Sequence, residues 1–216
     1  MRCFPSLNRY LAVCGRDLVV LNAEDGDYAL LAGAGDGVVI GPDGVLQIED
    51  HDLAVALVEN GLVGERPSSS PVGRPPALPV RSAFDQPQQR TGARHLAAMV
   101  LAGIETPLIY PGQPFPSLLD RARQGRRGVD PDRCDGALMA AAAAFDLASP
   151  WIPLRGECLL RSFVLLRVLL RQGYAPRWVF GVRTWPFAAH CWLQAGEVAL
   201  TDFADTLQPF TPIMAV

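Results

Sequence analysis

The chain has 216 residues, half of them hydrophobic, with 19 basic and 22 acidic side chains and a formal net charge of −3. This length suffices for one large or two small domains with a real core, and the nearly balanced charge gives no indication of a nucleic-acid surface. All 19 basic residues are arginine, so the absence of lysine excludes Schiff-base chemistry and a lysine-containing phosphate-binding loop.

The sequence also gives expectations about membranes, metals and cellular compartment. No stretch approaches the run of about 18 apolar residues that a membrane helix requires, and the N-terminus does not resemble a secretory signal. We therefore expect a cytoplasmic protein without a membrane partner. Five cysteines that form no Cys-x-x-Cys motif argue against a disulfide framework and a structural zinc site. We predict neither a metal nor a cofactor.

Residues 1–65 have the pattern of a small α+β module. Apolar segments separated by turn residues predict three short strands, near Tyr10–Cys14, Asp17–Leu21 and Asp27–Leu31. The glycine-rich stretch 33–44 predicts a loop. The apolar spacing of residues 50–60 predicts a helix, with Asp50 as its N-cap and Gly61 just past its end.

Residues 66–90 contain six prolines and three consecutive serines. Because proline fixes φ and lacks an N–H donor, we predict an extended linker that neither pairs nor coils regularly. A long loop within a single domain is the alternative interpretation.

Residues 91–216 are predicted to form a second domain, in which helices precede strands. The Arg- and Gly-rich stretch 121–133 predicts a charged surface loop. Helices are expected over Thr91–Ile104, Gly136–Leu147 and Cys158–Gln172, and antiparallel strands near Trp178–Val182, Ala189–Leu193 and Val198–Asp202. This order is typical of an α+β domain with an antiparallel sheet.

Three residues of this domain supply the groups of a cysteine nucleophile site. Cys158, His190 and Asp202 provide a thiol, an imidazole and a carboxylate in chain order. A cysteine attacks as thiolate, and the free N–H groups and dipole at a helix start favour that anion. The simpler interpretation is also open, because a buried cysteine is often just a small core residue.

Strand alternation adds a geometric condition. It places His190 on one face of its strand and Cys191 on the other, where we expect a core thiol. Asp202 then shares the face of His190 if the hairpin pairs these two residues directly, with residues 195–197 as a three-residue loop.

The same residues resemble the transglutaminase-like peptidases of lasso peptide biosynthesis, the B proteins, over roughly residues 91–216. The resemblance rests on Cys158-Leu-Leu-Arg161-Ser162, Pro186-Phe-Ala-Ala-His190-Cys-Trp192, and Asp202 with the tail Phe210-Thr-Pro212-Ile213. It implies that Cys158 is the nucleophile, that His190 is the general base and acid, and that Asp202 orients His190. Cys191 and Gln194 depart from the family pattern, which often has a small residue and a glutamate there.

The N-terminal module is similar to the precursor-recognition domain that accompanies such peptidases, a winged-helix-like fold with a three-stranded sheet plus helices. That similarity implies that a leader peptide adds as a strand beside Asp27–Leu31 and packs against the helix over 50–60. The candidate contacts are Tyr28, Leu30, Leu53 and Leu57, each of which can instead be a core residue.

The resemblance implies a cysteine peptidase that removes the leader of a lasso precursor peptide, before a separate ATP-dependent cyclase closes the macrolactam. Two alternatives stay open. One is an acyltransferase of the transglutaminase type, in which an amine replaces water. The other is a non-catalytic peptide-binding scaffold.

Overall fold

The structure is a computed structural model, and it describes residues 1–67, 75–85, 101–102, 112–126, 128–149 and 158–216. The chain forms two compact units. The first comprises Met1–Pro75, Phe180–Ala189 and Phe210–Ala215, and the second comprises Pro76–Val179, His190–Pro209 and Val216. The first unit therefore includes two segments from the region that the sequence assigns to the second domain.

The N-terminal part of the first unit is built from two antiparallel sheets and one helix. Its strands are β1 (Arg2–Pro5), β2 (Arg9–Cys14), β3 (Asp17–Asn22), β4 (Tyr28–Leu31), β5 (Val38–Ile40), β6 (Leu46–Ile48) and β7 (Val63–Gly64). One sheet has the order β5-β6-β1-β7 and the other the order β2-β3-β4. Pairing of Arg9 with Asn22 and of Leu18 with Leu31 fixes the register of the second sheet, which has β4 at one edge.

Helix α1 (His51–Glu59) has the predicted ends. The Asp50 side chain accepts hydrogen bonds from the N–H groups of Asp52 and Leu53, which otherwise lack partners in the first turn. Gly61 follows the helix with φ +67°, a conformation that glycine adopts without steric cost. The helix buries Ala54 and Leu57 in a core shared with Cys3, Leu18, Leu46 and Ile48.

The prediction of a loop over residues 33–44 is wrong, because β5 lies within it. Val38 is buried and Val39 is exposed, which is the alternation of a half-buried strand, but the neighbouring glycines hide this short pattern in the sequence. The described N-terminal residues thus hold seven strands and one helix: the three predicted strands form the sheet β2-β3-β4, and four further strands were not predicted. The winged-helix description of this module is not confirmed.

Among the remaining described residues, and apart from the helical pair 101–102, the chain forms four helices and five strands. They are β8 (Arg81–Ser82), α2 (Phe115–Gly125), α3 (Gly136–Ala148), α4 (Cys158–Arg171), β9 (Arg177–Arg183), β10 (Ala188–Ala195), β11 (Val198–Ala199), α5 (Ala204–Leu207) and β12 (Thr211–Ala215). Helices α3 and α4 confirm two predicted helices. The third, over Thr91–Ile104, lies outside the described residues except for residues 101–102, which are helical.

Helix α2 corrects the expectation of a charged loop over residues 121–133. Its side chains Leu118, Leu119 and Ala122 are buried at helical spacing, while its arginines lie on the other face. The apolar residues begin before the arginine-rich stretch, so that stretch alone did not reveal the helix.

The third sheet has the order β12-β9-β10-β11-β8. It is not wholly antiparallel as predicted, because β8 pairs with β11 in parallel, with Val198 opposite Arg81 and Ala199 opposite Ser82. A strand within the proline-rich stretch was not expected. No proline occurs between residues 79 and 87, so the N–H groups of Arg81 and Ala83 are free to donate to the Glu197 and Ala199 carbonyls.

Helix length in the described part of the chain bears on the membrane question. The longest of these helices has 14 residues, and within the described ranges none combines the length and apolarity needed to cross a bilayer.

Candidate active site

Cys158 is the first residue of α4 and is half-buried. The helix after it is held by an apolar face that includes Phe163, Val164 and Leu166, each at most 1 % exposed. This packing fixes the helix start, where the backbone N–H groups of the first turn have no partner within the helix. The thiol therefore lies where the helix dipole favours a negative charge.

His190 lies near the start of β10, and Asp202 lies just after β11. Nε2 of His190 is 3.0 Å from Oδ1 of Asp202, with the two side chains 24 % and 18 % exposed. Oδ2 of the same carboxylate accepts a 2.7 Å hydrogen bond from the Thr201 hydroxyl. Both oxygens of Asp202 are thus engaged, which fixes the orientation of the carboxylate and, through it, of the imidazole.

The predicted hairpin register, in which His190 pairs directly with Asp202, is wrong. The two side chains nevertheless meet. Gln194 pairs with Ala199 and Ala195 with Val198, which leaves Gly196 and Glu197 as a two-residue loop. Gly196 adopts φ +55°, as the favoured two-residue hairpin turns require. The regular ladder ends at Ala199, so the alternation rule does not reach Asp202.

Cys158 and His190 influence each other electrostatically, since His190 is among the groups that lower the pKa of Cys158 and Cys158 is among those that raise the pKa of His190. Because Nε2 of His190 faces Asp202, Nδ1 is the ring nitrogen available to the sulfur. The structure therefore brings together the thiol, imidazole and carboxylate that the sequence selected.

Electrostatics at the site favour a charged pair. Hydrogen bonds from the Cys191 thiol and from His190 lower the pKa of Cys158 to about 4, against the opposing effect of burial. Burial disfavours the charged imidazole, yet hydrogen bonds to Asp202 and Cys158 raise the pKa of His190 to about 9. Burial also opposes the Asp202 carboxylate, whose pKa is nevertheless lowered by its hydrogen bond to His190. Between these two values the pair is a thiolate beside an imidazolium.

Two residues near Cys158 were not selected from the sequence as functional. Cys191 is a buried thiol, as expected, and its Sγ lies 3.4 Å from Oγ of Ser162; it is also the leading cause of the lowered pKa of Cys158. Ser162, one turn into α4, donates to the Cys158 carbonyl at 2.6 Å and accepts from the Trp178 indole N–H at 2.8 Å. The spacing between residues 158 and 162 on one helix face was a usable signal for Ser162, whereas Cys191 had none.

The four predicted leader contacts fall into two groups. Leu57 is 2 % exposed in the core of the first unit, and Leu53 packs against that core, so both are packing residues. Tyr28 and Leu30 lie half-buried on the edge strand β4. The Tyr28 ring meets that of Phe187 edge-on, with centroids 6.0 Å apart.

A family comparison agrees with the part of the chain that holds the site. The model of the transglutaminase-like superfamily matches residues 100–215, just over half of the chain. The chain belongs to the transglutaminase-like superfamily. Neither the curated proteins nor the solved structures give a match. The family match spans Cys158, His190 and Asp202, and this superfamily typically contains enzymes with a cysteine-protease-like fold.

The arrangement in this superfamily member has the parts needed for acyl transfer through a thioester. A thiolate is the nucleophile, and an imidazolium beside it can protonate a leaving amine. The N–H groups at the start of α4 are suitable donors to an oxyanion. The acceptor of the acyl group, water or an amine, distinguishes a peptidase from a transglutaminase.

Proposed function

We propose that this protein is a cysteine peptidase that removes the leader from a lasso precursor peptide in the cytoplasm. The observation that supports this most directly is the 3.0 Å contact between His190 and Asp202, beside a Cys158 whose pKa His190 helps to lower. The resemblance of residues 91–216 to the lasso B proteins supplies the substrate class, since the site alone indicates only acyl transfer.

In the proposed reaction the Cys158 thiolate attacks the scissile carbonyl, and a carbon–sulfur bond forms. The tetrahedral intermediate expels the amine of the core peptide, which takes a proton from the His190 imidazolium. Neutral His190 then removes a proton from water, which attacks the thioester and releases the leader carboxylate. The freed core N-terminus becomes the substrate of a separate ATP-dependent cyclase.

The N-terminal module is proposed to hold the leader by strand addition. Strand β4 lies at one edge of its sheet, and an edge strand offers backbone donors and acceptors to an extended peptide. Half-buried Tyr28 and Leu30 lie on this strand. We therefore retain these two residues as leader contacts and assign Leu53 and Leu57 to the core.

The direct test is incubation of the full chain with its precursor peptide, followed by mass spectrometry. We expect one cleavage between leader and core, abolished in Cys158→Ala and retained in Cys134→Ala, which changes an exposed cysteine. Cleavage by Cys158→Ala would contradict the mechanism. Addition of a primary amine separates the two chemistries, because an acyltransferase yields an amide of the leader whereas a peptidase yields its free acid.

Leader binding is tested separately, with a fluorescent leader peptide and the Cys158→Ala variant. Tyr28→Ala is expected to weaken binding by about tenfold, the effect of removing one well-placed aromatic contact. Val39→Ala is the matched control, because Val39 is 60 % exposed on the other sheet. Equal affinity of both variants and the parent would contradict the assignment of β4.

A further inference from the structure

We propose that Ser82 is a positioning residue for Asp202: its hydroxyl donates to the backbone carbonyl of Asp202 and holds this residue within reach of His190. The Ser82 Oγ lies 3.0 Å from the Asp202 carbonyl oxygen, and Ser82 is 1 % exposed. This inference rests on the proposed cysteine chemistry. It extends that chemistry to a residue 120 positions before Asp202, in the proline-rich stretch that the sequence predicts to be a linker.

The neighbours of Ser82 fix the orientation of its hydroxyl. The oxygen accepts a hydrogen bond from the Phe84 N–H at 3.2 Å, and its single proton is directed to the Asp202 carbonyl. The Ser82 N–H donates to the Asp85 carboxylate at 2.6 Å, and the Asp85 N–H donates to the Ser82 carbonyl at 3.2 Å. Residues 82–85 thus form a closed turn that holds the hydroxyl toward Asp202.

The segment that carries this turn is anchored to the sheet of the second unit. Strand β8 pairs with β11, and the Ala83 N–H donates to the Ala199 carbonyl at 2.8 Å. Before β8, the buried side-chain amide of Gln194 donates to the Ala77 carbonyl at 2.8 Å. An ionised glutamate, which the family pattern often has at position 194, accepts hydrogen bonds but donates none. Gln194 therefore suits a chain in which residues 77–85 are held against the sheet.

Asp202 requires support because it lies beyond the regular ladder, which ends at Ala199. Thr201 engages one oxygen of its carboxylate and His190 contacts the other, while Ser82 holds the backbone from which that side chain extends. Such a contact depends on placement to within about 0.5 Å. Burial lowers the pKa of His190 and the hydrogen bond to Asp202 raises it. Loss of the Ser82 bond should therefore lower the pKa of His190.

The test measures the pKa of His190 by NMR and needs no peptide substrate. The chain has three histidines, and the imidazole signal of His190 is the one missing in His190→Gln. Ser82→Ala removes the donor, whereas Ser82→Thr keeps it. Burial raises the pKa of Asp202, while His190 and Arg161 lower it. Neither serine substitution changes these charged groups, so a shift in the His190 pKa would report the geometry of the contact.

We expect the His190 pKa to fall from about 9 by about half a unit to one unit in Ser82→Ala, the range for one lost neutral hydrogen bond. In Ser82→Thr it should stay within about 0.3 units of the native value. Ser149→Ala, which removes a hydroxyl bonded to the Asp146 carbonyl, is the matched control and should leave it unchanged. If Ser82→Ala does not fold, Ser82→Cys keeps the volume with a weak donor, and the same fall is expected.

The same variants are then compared in leader cleavage. In Ser82→Ala, kcat should drop by about threefold to tenfold with KM unchanged, because Ser82 acts on Asp202 and not on the peptide. An unchanged His190 pKa in the folded alanine or cysteine variant would overturn the proposal. An equal fall in Ser82→Thr or Ser149→Ala would also overturn it, because loosened packing would then be the cause. A chain that shows the expected fall in pKa but cleaves no precursor would contradict only the proposed function.

Discussion

Asp202 lies 3.0 Å from His190, although the hairpin register, if continued, would place Asp202 opposite Cys191. The chain leaves the ladder after β11, and the Leu193 N–H donates to the Thr201 hydroxyl at 3.1 Å instead of to a backbone carbonyl. The same hydroxyl donates to Asp202 at 2.7 Å. Thr201 therefore marks the point where the strand turns Asp202 toward the imidazole.

The two hydrogen bonds of Thr201 predict that it positions Asp202 during catalysis. Thr201→Val removes both and leaves the buried Leu193 N–H without this acceptor. We expect leader cleavage to slow by about tenfold or more, the value of a hydrogen bond to a charged group. Thr201→Ser keeps the hydroxyl and should retain most of the activity. A serine variant as slow as the valine variant would assign the effect to the lost methyl group.

The pKa values of the charged pair predict a broad, bell-shaped dependence of leader cleavage on pH. Below about pH 4 Cys158 takes up a proton and ceases to be a thiolate. Above about pH 9 His190 loses the proton that the leaving amine requires. Measuring kcat/KM from pH 3 to 10 should therefore give a plateau between these limits, which belong to the coupled pair. A single transition near pH 6.5 would contradict the charged pair.

Replacement of the Asp202 carboxylate should move one limb of that profile. Asp202→Asn removes the hydrogen-bonded negative charge that raises the pKa of His190, so that pKa falls. The alkaline limb of kcat/KM then shifts to lower pH, and the plateau rate drops by on the order of a hundredfold or more. Asp205→Asn, an exposed acidic residue nearby in the chain, is the control. If both limbs of the pH profile are unchanged in Asp202→Asn, Asp202 does not act on His190 during the reaction.

The candidate site was predictable from the sequence because residue type and local structure both bear on it. Two local patterns indicate the site: a cysteine at the start of an apolar helix, and a histidine in an alternating strand. Each pattern lies within a single segment of the chain. The route of Asp202 to His190 was not predictable, because it depends on the strand ending at Ala199. The 3.4 Å contact between Ser162 and Cys191 depends on where α4 lies relative to β10, a tertiary relationship that neither segment encodes alone.

The fold was likewise predictable in part, where local sequence signals determine an element. Helix ends with local signals, such as Asp50 and Gly61, are confirmed. Strand β8 was missed because its two residues are ordered by pairing with β11, far along the chain, and not by any local pattern. Strand β5 was missed because glycines flank its three residues.

Ser162 is predicted to contribute to stability as well as to the site. Trp178 is fully buried, and its indole N–H donates to the Ser162 hydroxyl at 2.8 Å. Ser162→Ala removes this acceptor, and a buried donor without a partner costs about 1–3 kcal/mol of unfolding free energy. Urea denaturation should show this loss. Ser149→Ala, which removes a hydroxyl bonded to the Asp146 carbonyl at the end of α3, should cost less than about 0.5 kcal/mol.

The hydrogen bonds of the Asp135 carboxylate predict that the protein loses stability in acid. Its side chain caps α3 by accepting from the N–H groups of Ala137 and Leu138, and it accepts a 2.7 Å hydrogen bond from the Tyr174 hydroxyl. The hydrogen bonds from Leu138 and Tyr174, with a further contribution from Arg133, lower the pKa of Asp135 from 3.8 to about 2. The stabilisation is therefore complete above pH 3.8 and is lost as the pH falls through about 2.

Two variants, Asp135→Ala and Tyr174→Phe, separate the helix cap from the Tyr174 contact. Asp135→Ala should lower the unfolding free energy at pH 7 by about 1 kcal/mol, the usual value of an N-cap. It should also flatten the dependence of stability on pH between about 4 and 2, since the titrating group is gone. Tyr174→Phe removes only one of the hydrogen bonds and should keep most of that dependence. The unfolding free energy of Asp135→Ala could instead fall as steeply between pH 4 and 2 as that of the native chain. Another carboxylate would then be responsible for the acid sensitivity.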